Sequence, residues 1–303
     1  MTNLDTATPR ATPPAAFEPG LSRHHSLRRT LRLLTRDRTS MLGLVIVTVL
    51  IVLAVIGPWV APHDPNRIPA GAQAFASPSA RFPLGTDYLG RDTLSRLLYG
   101  ARLSIFTTIY ATVLITVVGT ILGLLAGFFG GVVDGAIVWL IDILLAFPSL
   151  LLALALTAVL GPGLRHITLA LVLVWWTGYA RLVRAAVLAQ RSAGYVEAAA
   201  SLGASRARLL WRHVLPNVIT PVAVYATLEL GAILLAISAL SFLGLGVNPP
   251  TPEWGSMLSS AKPYLDAAPQ LLIYPGAAIF LFALGFNLLG DGLRDLLDPR
   301  TGT

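Results

Sequence analysis

Residues 41–60 read MLGLVIVTVLIVLAVIGPWV, twenty consecutive residues without a charge. At 1.5 Å of rise per residue a helix of that length reaches across about 30 Å, the hydrocarbon core of a bilayer. The stretch is the first membrane span. A cleaved signal peptide fits it poorly, because the apolar run and the tail before it are too long and no clean A-x-A site follows.

The rest of the chain agrees with that reading. Of 303 residues, 55% are hydrophobic and 12% charged, against about 45–50% and 25% in an ordinary soluble domain; mean hydropathy is +0.71. Further apolar blocks cover 103–129, 132–160, 164–180, 215–237 and 271–289, which makes six spans and an all-α, polytopic membrane protein. The breaks are marked by FFGG at 128–131, GPG at 161–163, and Pro249, Pro250 and Pro252. The expected organisation is a tail over 1–40, the first span over 41–60, an extracytoplasmic segment over 61–102, and a five-helix core over 103–291. That core includes a cytoplasmic connection at 195–214 and an outer loop at 246–270; residues 292–303 form a cytoplasmic C-terminus.

Charge sets the orientation. With the N-terminus inside, the cytoplasmic segments hold 15 of the 22 Lys and Arg residues and the outer segments 7, as the positive-inside rule requires. Five of those seven are arginines of 61–102, for which Asp64, Asp87 and Asp92 offer partners. Within the tail, RHHSLRRTLRLLTRDR (23–38) carries six arginines with Leu27, Leu31 and Leu34 at helical spacing. It reads as an amphipathic helix on the cytoplasmic leaflet, each cation gaining about 1 kcal/mol there. A net charge of +7 does not imply nucleic acid, since the arginines flank hydrophobic spans. Cysteine is absent, so no disulfide framework or thiolate metal site is available.

Between the fourth and fifth spans lies EAAASLGASRARLLWRHVLPN (197–217), with three arginines in an otherwise apolar region. Good helix formers precede Gly203, ASRARLLWRHV forms a second short helix, and Pro216 marks the corner into span five. Leu202, Leu209, Leu210 and Trp211 offer an apolar surface ringed by Arg206, Arg208 and Arg212. Such a helical hairpin is built to dock into a groove on a soluble cytoplasmic partner.

Glu197-Ala198-Ala199, three residues, Gly203, nine residues, then His213-Val214-Leu215-Pro216 resembles the EAA motif of permease subunits of binding-protein-dependent ABC importers. PLGTDYLGRDTLSRLLYGARLSI (83–105), LSFLGLGVNPPTPEWGSML (240–258) and GDGLRDLLDP (290–299) are similar to the C-type permease of the peptide, opine and nickel branch. The resemblance covers nearly all of 28–299 and implies the type I permease fold with a cytoplasmic coupling helix. It also implies two cytoplasmic ATPase subunits that bind the ATP and Mg, a second, non-identical permease, an extracytoplasmic binding protein, a short-peptide substrate, and a bacterial cytoplasmic membrane. It carries ATPase docking onto Glu197, Ala198, Ala199, Gly203, Ala204, Arg206, Arg208, Leu209, Trp211 and Pro216. Val138-Trp139 stands where that family often has Met-Arg, so an ion pair from that arginine to the neighbouring aspartates is lost or rearranged.

Intramembrane acids come next. Asp134 and Asp142 are eight residues apart and share a face of span three; an acid at mid-span costs about 2.5–3.5 kcal/mol on insertion scales and so faces protein or water. Asp142 and Glu229 are read either as structural pairs or as lining of the translocation path. Pro148 is expected to kink span three beside that path. The outer loop GVNPPTPEWGSML (246–258) is either a rigid cap or a contact for a partner permease or binding protein. No catalytic, metal or cofactor residue is expected. A phosphate loop needs a lysine after its second glycine, and Lys262 is the only lysine; H-E-x-x-H and G-x-S-x-G are both absent. Two other readings remain: the same importer class with nickel, glutathione, an opine or an oligosaccharide as substrate, and a self-sufficient channel or secondary transporter.

Overall fold

The computed structural model describes residues 37–297. The tail over 1–36, with nearly all of the basic amphipathic segment, and residues 298–303 lie outside the described residues. Among the described residues there are ten α-helices: α1 (Arg38–Val60), α2 (Thr93–Phe129), α3 (Gly131–Leu145), α4 (Ser149–Leu160), α5 (Leu164–Arg191), α6 (Gly194–Ser201), α7 (Arg206–Leu209), α8 (Leu215–Leu240), α9 (Trp254–Ala261) and α10 (Gln270–Leu297). The described residues form no strand, only an isolated bridge between Thr86 and Asp92. Among the described residues five helices are long and apolar enough to cross a membrane, α7 and α8 counting as one, and α3 with α4, bent by 86°, makes a sixth if the pair is one span.

Two apolar cores share α2 and α8. One gathers Val47, Ala54, Ile105, Leu234, Trp254 and Phe282, joining α1, α2, α8, α9 and α10. The other gathers Ile115, Ala153, Leu171, Val183, Val218 and Ile237 from α2, α4, α5 and α8. Lipid tails are as apolar as leucine, so helices in hydrocarbon associate through close packing of small residues. The seam between α2 and α5 is built that way. Gly119, Gly123 and Gly127 fall on one stripe of α2, and a Cβ on each would come within 2.4, 2.6 and 2.8 Å of the Cβ atoms of Tyr179, Val183 and Val187.

Several helix limits differ from the hydropathy reading. Helix α2 begins at Thr93, ten residues before the apolar block at 103. Its first turns carry Ser95, Arg96 and Arg102, which hide it from a hydropathy scan, yet Asp92 caps it by accepting from the Ser95 N–H at 3.0 Å. Over 37 residues it runs to about 55 Å, so it stands well beyond one hydrocarbon thickness. Helix α5 likewise continues past 180 to Arg191. Span three is broken rather than kinked: α3 ends at Leu145, Pro148 takes the N-cap position of α4, and the chain turns through 86°. Proline disfavours α geometry in the residue before it, here Phe147, which lies outside both helices.

The segment between α1 and α2 is ordered by buried charge. Asp87 accepts at Oδ1 from the N–H groups of Leu89 and Arg91, both at 2.9 Å. Its Oδ2 takes the Arg91 Nε at 2.7 Å and lies 3.4 Å from the Arg96 Nε. Arg67 pairs with Asp64 at 3.4 Å. The three aspartates thus do not each neutralise one arginine: Asp87 serves two, and Asp92 caps α2 with His63 beside it at 3.6 Å.

In the outer loop, Glu253 and Trp254 are not available to another protein. Both are fully buried within this chain. Glu253 caps α9 by accepting from the N–H groups of Gly255 and Ser256 at 2.9 and 2.8 Å, and Ser104 of α2 donates to it at 3.1 Å. Burial pushes this carboxyl above the ordinary glutamate range, and the two backbone N–H groups oppose that rise. The Trp254 indole donates to the Leu97 carbonyl at 3.1 Å and lies over Gly100.

The glycine seam makes a direct prediction. Gly123→Ala forces a Cβ to 2.7 Å from the Ala180 carbonyl oxygen, an overpacking expected to cost about 1–3 kcal/mol and to lower the midpoint of thermal unfolding in detergent. Gly135→Ala on α3, where nothing lies within 4 Å, should leave the midpoint unchanged or slightly raised.

Candidate functional site: two short arms and an ion-paired elbow

The connection between α5 and α8 is a pair of short arms. Helix α6 ends in a Schellman motif: Gly203 sits at φ +85°, its N–H bonds to the Ala200 carbonyl at 3.0 Å, and Ala204 bonds back to Ala199 at 3.1 Å. Glycine is required there, since a Cβ at that φ is strained. Ser205 then caps α7, accepting from the Arg208 N–H at 3.3 Å. The expected hairpin and its turn at Gly203 are therefore present.

Pro216 does not make the expected corner. Leu215 is helical at φ −55° and ψ −44°, and the chain runs on as helix from Arg206 through Leu240. The reason is a wide turn over Leu210–Val214, in which the Leu215 N–H bonds five residues back to the Leu210 carbonyl. A proline ring normally collides with the carbonyl four residues before it and offers no N–H; widening the preceding turn relieves both. The arm is continuous with span five.

The arms hold to the span bases by polar ties absent from the sequence reading. Tyr195 of α6 donates to the Gln190 side chain and accepts from the Asn217 amide at 3.1 Å. Arg191 donates to the Gly127 carbonyl at 3.0 Å, fixing the end of α5 to the end of α2. The sequence offered no clear signal: Gln190 lies ten residues past the apolar block ending at 180, and Asn217 lies just inside the block beginning at 215. Val196 and Val214 are buried beneath the arms. The outer face is the reverse: Leu202 is 89% exposed, Trp211 67%, and Glu197, Ala198, Gly203, Arg206 and Arg208 are all exposed. Ala199, Ala204 and Leu209 are half-buried at its edge. A cleft of about 280 Å³ lies between Phe128, Phe129, Arg191, Glu197, Arg206 and Leu209.

Both acids of α3 are paired with α5. Arg184 forks onto Asp134, with Nε to Oδ1 at 2.5 Å and Nη2 to Oδ2 at 2.7 Å. Arg181 donates to Asp142 at 2.7 Å, with both side chains more than half exposed. The rearranged pairing anticipated at Val138-Trp139 is thus supplied from α5. Arg181 and Arg184 were missed as partners because their charges were assigned only to orientation. Glu229 of α8 is half-buried, directed at the Tyr225 hydroxyl and the Trp175 indole, and is not joined to Asp142. Pro148 and the 86° elbow follow directly after the Asp142 pair.

A double-mutant cycle tests the bidentate pair. Asp134→Asn and Arg184→Gln should each destabilise the chain by about 1–3 kcal/mol, since each leaves the other charge unpartnered. The double variant should recover about 0.5 kcal/mol or more of that sum, read by unfolding in detergent. Strict additivity would show that the pair contributes nothing.

Comparison with known proteins agrees with this geometry. The family model described as binding-protein-dependent transport system inner membrane component matches residues 119–303, and the N-terminal TM domain of oligopeptide transport permease C matches residues 26–78. The chain is 43% identical over 290 residues to the di/tripeptide transport system permease protein DppC of Pseudomonas aeruginosa (strain UCBPP-PA14), covering 94% of this chain and 96% of that one. It is 43% identical over 265 residues to the glutathione transport system permease protein GsiD of Shigella flexneri serotype 5b (strain 8401), covering 88% of each. To the GsiD protein of Escherichia coli O157:H7 it is 41% identical over the same share. With six spans, a helical hairpin at the base of span five and these matches along nearly its whole length, the chain belongs to the inner membrane components of binding-protein-dependent transport systems, as a permease of the oligopeptide C type.

Proposed function

We propose that this permease forms half of the translocation path of an ATP-driven importer for di- and oligopeptides, with its α6–α7 arms as the docking element for a cytoplasmic ATPase. The observation that carries the reading is the exposed apolar and basic face of the arms, Leu202 and Trp211 between Arg206, Arg208 and Arg212. Such a face has no use against water and matches a groove on a soluble partner. The charge count puts it on the cytoplasmic side with both chain ends. Two ATPase subunits would bind ATP and Mg, and this chain would carry no catalytic residue. A second, non-identical permease would close the path and an extracytoplasmic binding protein would deliver the substrate.

The mechanism follows from stiffness. α7, the wide turn and α8 are one helix, so displacement of the arm by ATPase closure is passed to span five without a hinge. The Tyr195, Gln190 and Asn217 tie passes the same displacement to span four. Rigid-body rocking of spans around a central site is the usual form of alternating access. Asp142, Pro148 and Glu229 are the residues proposed for the path. The peptide substrate is supported by the di/tripeptide relative, and the glutathione relatives, named for a peptide-like molecule, are compatible with it.

Leu202→Asp and Glu197→Lys place charge on the docking face without touching a core. Each should lower ATPase co-purification and peptide uptake at least about tenfold, roughly the 1.4 kcal/mol that one hot-spot contact supplies, with the unfolding midpoint unchanged. Wild-type levels of both readouts would refute the docking assignment.

A further inference from the structure

The end of the molecule opposite the arms contains a second polar site that the transport reading does not use. A cavity of about 140 Å³ lies between the segment before α2, the loop after α8 and helix α9. That is several times the roughly 30 Å³ one water occupies. Its floor is formed by Arg91 and Arg96, only 3% and 6% exposed, and its wall by Ser256, Ser259 and Ser260. Asn248 and Thr251 stand exposed at the rim.

The two guanidiniums are incompletely used. Arg91 gives its Nε to Asp87 at 2.7 Å and lies over the Tyr88 ring at 5.4 Å, but its terminal nitrogens bond to no described residue. Arg96 gives Nη1 to the Pro65 and Pro250 carbonyls at 2.9 and 3.1 Å, and its Nη2 is likewise unused. Both side chains line the cavity, where an oxyanion would give their terminal nitrogens charge-assisted acceptors. The acids nearby already have partners, and Asp87 takes only the Nε side of the two guanidiniums. Asp87 meets Leu89, Arg91 and Arg96; Asp92 meets Ser95 and His63; Glu253 meets Gly255, Ser256 and Ser104. No acid lines the cavity.

We infer that this cavity binds one carboxylate, held by the terminal nitrogens of Arg91 and Arg96 and by the hydroxyls of Ser259 and Ser260, since the Ser256 hydroxyl already donates to the Glu253 carbonyl at 2.8 Å. Planar guanidiniums recognise that group by geometry as well as charge. The carboxylate comes either from a free small acid or from an acidic side chain of a protein docking at this end, and the chemistry is the same for both. The site itself stands whatever the chain transports; only the second source rests on the importer reading.

The test uses the full chain in lipid nanodiscs, with its melting temperature followed as sodium acetate is titrated against sodium chloride at equal ionic strength. A saturable rise with acetate alone is expected. Arg91→Gln should abolish it; should that variant fail to fold, Ser259→Asp places the chain's own carboxylate at the cavity and should abolish the response while retaining the fold. Equal responses to both salts, no saturation, or an unchanged response in both variants would overturn the site. A second arm measures docking of the substrate-binding protein to the assembled importer with and without saturating acetate. Docking weakened about tenfold or more assigns the carboxylate to that protein, and unchanged docking assigns it to a free acid. Failure of the importer to assemble leaves the acetate titration of the single chain unaffected, so the two readings fail separately.

Discussion

Helices α2 and α5 approach until side chains of one nearly touch backbone of the other, and this is possible only because Gly119, Gly123 and Gly127 carry no Cβ. The contact fixes the rotation and height of α5 relative to everything α2 holds. α5 in turn presents Arg181 and Arg184 to the acids of α3 and places Gln190 and Arg191 where the arms begin. A stripe of absent side chains thus determines where the charged groups meet. In a solvent without a hydrophobic drive between helices, close packing of this kind must supply most of the association.

The two ends of the bundle are organised on opposite principles. At the arm end the chain exposes apolar and basic groups and keeps few of them in its own core. At the other end it buries Asp87, Arg91, Asp92, Arg96 and Glu253, each satisfied at least in part by backbone or by an opposite charge. Buried charge of that kind contributes little net stability and becomes strongly destabilising when one partner is removed. It does give a segment between two spans one arrangement, which apolar contacts alone specify less well.

Much of this architecture was readable before any coordinates. Uncharged runs of spanning length have few alternatives in hydrocarbon, so the number and order of spans followed from hydropathy, and Gly203 announced its turn because few other residues accept positive φ. What escaped notice had a physical cause in each instance. The start of α2 at Thr93 is polar yet sheltered by protein, which hydropathy does not register. Pro216 is accommodated in a helix whose preceding turn is widened, and nothing local to Leu210–Val214 signals that. Glu253 and Trp254 resemble exposed loop residues until α2 is seen to supply Ser104 and Gly100 beneath them. Arg181 and Arg184 are equally consistent with an orienting charge and a pairing partner, and a sequence alone does not show which acids lie across from them.

The wide turn before Pro216 has a consequence for how length can vary along span five. A turn of this type is an α-helix holding one surplus residue, and each residue of a regular helix advances the rotation by about 100°. Deleting a residue within Leu210–Val214 would return the helix to its ordinary pitch with arm and span in the same rotational phase. Deleting one in the regular part of α8 would swing the face bearing Trp211 by about 100° relative to the residues beyond the deletion. The bulge is therefore a phase-neutral site between arm and membrane.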